Sequence, residues 1–188
     1  MKRIKDSKGF GSTGLTASRI EAWRKQTARQ IQEHGRAVVA VMSDADKGKP
    51  TDEVTPDFAY TLGNCLQEEP FAEVWSCYPS QPTMRFVLNH ISEAIRDGEL
   101  EVTAEPVEVP GFLGQDGELP VRLRLMTSLE RVVAYERYTC QLPSPSVPVV
   151  IAEMPDPRGF FADDDRCHPG VRDVMLQAPF RVAAPEAN

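Results

Sequence analysis

The sequence predicts an α+β fold, a single domain in which helices pack on a mixed or mainly antiparallel sheet. Three observations carry that prediction. Short apolar or alternating runs of strand length recur at residues 37–42, 58–62, 71–78, 119–126 and 147–154. Longer stretches with apolar residues at helical spacing fall between them, at 17–33 and again after Ser80. Turn residues separate neighbouring strands more often than a helix does, so hairpins outnumber parallel crossovers. The order helix, strands, helix, strands, helix, strand is that of an α+β domain.

The chain has 188 residues, 41% hydrophobic and 26% charged, which is ordinary globular composition and enough for one core. A formal charge of −7 and a pI near 5.1 disfavour nucleic acid as a partner, because a phosphate backbone would be repelled. Neither a signal-peptide pattern nor an apolar run of membrane-spanning length occurs, so the expected location is cytoplasmic, with no membrane partner. Cys65, Cys77, Cys140 and Cys167 are scattered, with no Cys-x-x-Cys pair. They read as buried or incidental thiols.

Residues 1–15, rich in Lys, Gly and Ser, read as a flexible lead. Residues 16–33 form an added amphipathic helix. Ser18 and Glu21 have capping-box spacing, and Ile20, Trp23, Thr27 and Ile31 lie along one stripe, with Arg19, Arg24, Lys25 and Arg29 elsewhere on the surface and expected to be solvated. The α+β domain is expected over 34–178 and a frayed tail over 179–188. Within the domain Gly35 stops the helix, 37–42 is a buried β-branched strand, and 43–55 is a polar loop. Phe58, Tyr60 and Leu62 alternate along the next strand, closed by Gly63. After the strand at 71–78, Ser80 caps the strongest helix, with Met84, Val87, Leu88, Ile91, Ala94 and Ile95 in register and Asp97-Gly98 as its stop. An antiparallel pair is expected from 100–109 and 119–126, turning through Pro110-Gly111 and Gln115-Asp116-Gly117. Ser128 begins a helix to about residue 138, Pro143, Pro145 and Pro148 stiffen a connector, 147–154 is the last strand, and a short helix covers about 170–176.

Several chemistries find no pattern here. Gly48-Lys49 lacks the rest of a phosphate-binding loop, and no Gly-x-Ser-x-Gly elbow is present. His34, His90, His168 and Cys167 do not have the spacing of a metal-ligand set, and Asp163-Asp164-Asp165 lacks the Gly and Glu of a calcium loop. Neither a metal nor a cofactor is expected.

Other short segments resemble a known family, the bacterial domain of unknown function 4262. They are Glu33-His34-Gly35 before a strand, Phe58-Ala59-Tyr60-Thr61-Leu62-Gly63, Pro70 leading a strand, and Asn89 in the following helix. Pro148-Val149-Val150-Ile151, the run from Pro155 through Asp156, Pro157, Arg158 and Gly159 to Phe160, and Gln177 complete the set. The resemblance spans about residues 33–177 and leaves the first helix as an addition. Arg36 stands where that family often has an aromatic residue, and Ala152-Glu153-Met154 where it tends to have Gln and bulky apolar residues. The resemblance implies a shared fold and a bacterial or phage origin, and it brings no established activity. A strand ending in Thr-x-Gly, then a strand and a helix, is also similar in order to suppressor-of-fused-like immunity domains, an analogy of topology only.

The polar residues of the matched segments are the candidate site. Convergence at one sheet edge would let His34 act as a general base oriented by Asp156, with Tyr60, Thr61 and Arg158 binding a ligand and Arg158 holding an anion. The simpler roles are favoured: His34 caps the first helix, Asp156 and Gly159 build an Asx-type turn, and Tyr60 fills the core. The leading expectation is therefore a non-enzymatic module that binds a protein partner or a small ligand, with the first helix as a docking element and homo-oligomerisation permitted. The alternative is a small hydrolase or transferase using His34 with Asp156 and Arg158.

Overall fold

The computed structural model describes residues 17–41, 57–114, 117–130 and 147–176. The expected lead (1–15), the loop at 43–55, Gln115-Asp116, most of the helix beginning at Ser128, Pro143 and Pro145, Gln177 and the tail lie outside the described residues.

Six strands form one mixed sheet: β1 (Ala37–Val41), β2 (Phe58–Leu62), β3 (Glu73–Cys77), β4 (Val107–Leu113), β5 (Leu119–Leu125) and β6 (Val149–Glu153). Their spatial order is β1-β2-β3-β6-β5-β4. Among the described residues the β3–β6 pair alone is parallel, and the other four pairings are antiparallel. Helix α1 (Ala17–His34) precedes the sheet, α2 (Gln81–Arg96) follows β3, and α3 (Pro169–Leu176) follows β6. The α+β class and the mainly antiparallel mixed sheet are as the alternating runs predict.

The sheet is covered on both faces. On one, Met84, Val87, Leu88 and Ile91 of α2 pack on Ala59, Val74, Val150 and Ala152, with Val121 and Leu123 of β5. On the other, Phe58, Tyr60, Trp75 and Ile151 meet Ala162, Cys167, Val171 and Met175. This two-sided cover explains why every residue of β3 and β6 is buried. At roughly 1.5–3 kcal/mol for each large apolar side chain buried, the two layers supply most of the driving force for folding.

Local chemistry fixes the ends of the helices. Ser80 caps α2, its hydroxyl accepting from the Thr83 N–H at 3.4 Å, and Asp97 with Gly98 (φ +74) ends it as predicted. Gly35, at φ +77, ends α1 and donates its N–H to the Ile31 carbonyl at 2.8 Å, a left-handed cap that glycine adopts without a Cβ penalty. The stripe on α1 is seen in burial: Thr27 is buried and Trp23 and Ile31 are half-buried, whereas Arg24, Lys25 and Arg29 are exposed. Lys25 pairs with Glu21 and Arg29 with Glu33, one turn apart. The helix begins at Ala17, so Ser18 lies inside its first turn.

Two boundaries differ from expectation. The strand expected at 100–109 is found at Val107–Leu113. Leu100 and Val102 alternate as a strand would, but they pack as separate apolar contacts beneath the α2 layer, and Pro106 has no N–H to give a ladder. Pro110-Gly111, expected to turn the chain, instead lies within β4 at a register shift between Val109 and Leu113. An edge strand tolerates such a bulge and a proline, because one side of it needs no ladder partner. The next helix begins at Ser128 as expected, with Thr127 as its cap. Its hydroxyl accepts from the Glu130 N–H at 3.2 Å while Glu130 accepts from the Thr127 N–H at 2.8 Å, a reciprocal capping box.

Candidate functional site

Strand register decides which candidate residues can meet. Ala37 pairs with Leu62, and Glu73 pairs with Val149, at one end of the sheet. Val41 pairs with Phe58 and Phe58 with Cys77 at the other. His34 precedes β1 and so stands at the first end, whereas Asp156 follows β6 and stands at the second. The His34–Asp156 pairing is not formed. The His34 side chain is 71% exposed at the last residue of α1, and its ring nitrogen lies 4.0 Å from the Glu33 carboxylate. Tyr60 occupies the middle of β2 and is 1% exposed. Its ring stacks on Trp75 at 4.6 Å between centroids, and Trp75 stacks on Phe58 at 5.5 Å.

Of the other predicted polar residues, Asp156 and Arg158 belong to one centre and Thr61 to another. At the β6 end, Asp156 is fully buried. One carboxylate oxygen accepts from the N–H groups of Arg158 and Phe160, at 2.9 and 3.0 Å. The other accepts from the His168 N–H at 2.9 Å and from the Arg158 guanidinium at 2.9 and 3.2 Å. Burial works to raise this carboxyl, but the two distant N–H groups and Arg158 outweigh it and bring the pKa from 3.8 to about 2. Asp156 thus forms the Asx-type turn, with Gly159 (φ +88) donating to its carbonyl at 2.9 Å, and also ties that turn to the start of α3. Arg158 donates further to the Arg166 carbonyl, and both arginines lie over the Phe160 ring. Nearby, burial pushes the Tyr78 hydroxyl up, and the Asp156 charge adds to it.

The other centre lies where β2 ends and β3 begins, and it contains one predicted residue, Thr61. Its hydroxyl donates to the fully buried Glu73 carboxylate at 2.6 Å and accepts from the Val74 N–H at 2.8 Å. Glu73 accepts also from the N–H groups of Gly63 at 2.9 Å and Cys65 at 3.2 Å. The Asn64 amide donates to the Ala72 carbonyl at 2.8 Å and reaches the Ser92 hydroxyl of α2 at 3.2 Å. Its carbonyl oxygen is buried without a partner among the described residues. Burial, followed by the charge of Glu73 and the hydrogen bond to it, pushes the Cys65 thiol from 9.0 to about 11. A short 3-10 turn, Asn64–Leu66, carries these groups.

Sequence reading missed Glu73, Asn64, Cys65 and Ser92. A signal for the first was present: Glu73 is the one charged residue in an otherwise uncharged strand run, Phe71-Ala-Glu-Val-Trp-Ser-Cys-Tyr78. A carboxylate buried there must collect donors, and the glycine-led turn after β2 supplies them.

A third polar group fastens β5 to β6. Arg122 and Arg124 donate to opposite oxygens of Glu153 at 2.9 and 3.0 Å, Arg122 also binds Asp163, and Arg124 binds Glu130 in a two-point contact at 2.8 and 3.0 Å. Burial works to raise the Glu130 carboxyl, but Arg124 and the Thr127 cap bring it below its ordinary value. Among the described residues, no three His, Cys, Asp or Glu side chains are grouped to hold a metal ion. A shallow depression between residues 101–105 and β5 has about 220 Å³ of empty space, open solvent included.

No helix among the described residues is long and apolar enough to cross a membrane. Comparison of the chain with protein-family models, with curated proteins and with solved structures gave no match in any of the three.

Proposed function

We propose that the protein is a non-enzymatic binding module whose partner is another protein. One observation carries this reading: the buried carboxylates are each committed to holding the fold. Asp156 at about 2 stays ionised and saturated with donors, so it is a poor general base at neutral pH. Arg158 spends its guanidinium on Asp156 and the Arg166 carbonyl, and Cys65, pushed up to about 11, stays a thiol and a weak nucleophile. The separation of His34 from Asp156 weighs against the hydrolase or transferase alternative. The surface available to a protein includes α1, whose exposed face carries Arg24, Lys25 and Arg29, and the exposed side chains of Leu66 and Phe86.

The test is co-purification from the native host, with the full chain compared with one lacking residues 1–32 and with the full chain carrying Lys25→Glu and Arg29→Glu. A stoichiometric protein partner, retained by the full chain and lost from both variants while their far-UV circular dichroism keeps the sheet signal, is the expected result. A partner held equally by all three removes α1 from the docking role. A specific turnover abolished by His34→Ala would replace the binding reading with the enzymatic one.

A further inference from the structure

Where α1 ends, a side chain from the domain, Gln67, meets the backbone. The Gln67 amide nitrogen donates to the Gly35 carbonyl and, at 3.0 Å, to the Gly63 carbonyl. Gly35 ends α1, and Gly63 ends β2. Beside them Ile31 packs directly on Gly63, where an added Cβ would meet Ile31 at 3.1 Å and the Gly35 carbonyl at 3.0 Å. Between residues 21 and 34 α1 is mostly exposed, with Thr27 buried and Trp23 and Ile31 half-buried. Gly35, at φ +77, joins it to β1 through a residue with wide backbone freedom.

We propose that Gln67 is a catch and Gly35 a hinge: opening the Gln67 contact lets α1 lift off the domain as a unit and uncovers Trp23, Thr27 and Ile31. Gln67 and Gly35 are half-buried, so the Gly35 carbonyl can exchange the neutral amide for water, and that contact is reversible. A helix of 18 residues that loses its packing is marginal in water, so a lifted α1 frays and its amides exchange. This inference goes beyond the docking reading. It concerns motion of the chain alone and is tested with no partner present, so the two fail separately.

The experiment is hydrogen–deuterium exchange on the full chain, comparing the wild type with Gln67→Leu, Gln67→Glu and the neighbouring control Glu68→Ala. Gln67→Leu removes both donated bonds. The expected result is exchange across α1 faster by at least about tenfold, with α2, β3 and the Glu68→Ala variant unchanged. Gln67→Glu adds a signature that a packing defect would not give. At pH 7 its carboxylate faces two carbonyls and α1 exchanges fast. Below about pH 4 the protonated acid regains one donor, and α1 protection, measured against the wild type at the same pH, recovers in part. Unchanged α1 exchange in both variants overturns the proposal. So does acceleration of α2 and β3 in step with α1, which would make Gln67 a support of the whole core.

Discussion

At the scale of single residues, the end of β2 is tightly constrained. Gly63 has φ +112, a conformation that side chains with a Cβ rarely adopt, and its N–H is committed to Glu73. Gly63→Ala adds backbone strain to three contacts near 3 Å, one of them with a backbone oxygen that cannot rotate away. The expected cost is about 2–3 kcal/mol. Thermal unfolding should therefore shift down by roughly 5–10 °C; a shift within 1–2 °C would mean the turn relaxes freely. Part of this was legible. Alternation along Phe58, Tyr60 and Leu62, followed by a glycine, indicates a half-buried strand and its stop. Gly63 as the hub of a polar cluster was not legible, because the Glu73 carboxylate arrives from the next strand and Ser92 from a helix 28 residues beyond Asn64.

At the scale of elements, β5 and β6 are joined by charge as well as by ladder bonds. Arg124 bridges Glu153, on β6, and Glu130, in the first turn of the helix that opens after β5. Both carboxylates are nearly buried, so removing the arginine takes the guanidinium from Glu130 and leaves Glu153 with Arg122 alone. Arg124→Met keeps the length of the side chain and loses the donors. It should cost about 3 kcal/mol, measured by urea unfolding, and Glu130 should titrate higher than in the wild type. A loss below 1 kcal/mol would indicate that water replaces the guanidinium. The alternation of Leu119, Val121, Leu123 and Leu125 foretells a strand with its apolar side inward, and Val121 and Leu123 do enter the α2 layer. The pairing of the opposite, charged side needed the register, in which Arg122 faces Glu153 and Arg124 faces Ile151. The same limit explains β4. Period-two hydrophobicity at Leu100 and Val102 is satisfied by packing without a ladder, so periodicity alone cannot distinguish the two.

At the scale of the whole molecule, acid should act through buried carboxylates before it acts through net charge. The folded pKa of Asp156, about 2, is below its ordinary 3.8, so its contribution to stability is complete above about pH 4 and is lost as pH falls towards 2. Glu130 is shifted in the same direction. Stability should thus be nearly level above pH 5 and fall steeply below pH 4. Asp156→Asn, which cannot accept at both oxygens, should lower stability by about 3 kcal/mol at pH 7 and flatten the slope between pH 4 and 2. Chemical denaturation across that range checks both; a variant with the wild-type slope would assign the acid response to other groups. The loss should centre on the turn at 156–160 and α3, which the carboxylate ties together.

The sequence by itself determined the class of the fold, the strands and helices with strong periodicity, the stops at Gly35, Gly63 and Gly98, and the Asx turn at Asp156. These are consequences of local rules, since period, cap and turn chemistry each act within about four residues. Tertiary structure alone decided what those elements do together. The crossover that makes β3 and β6 parallel places the end of β6 far from the start of β1. His34 and Asp156, which a reading along the chain can join in one site, are thereby parted to opposite ends of the sheet. The polar cluster around Glu73 arises for the same reason: its members come together only when β2, β3 and α2 have packed, and a buried carboxylate then takes every donor within reach.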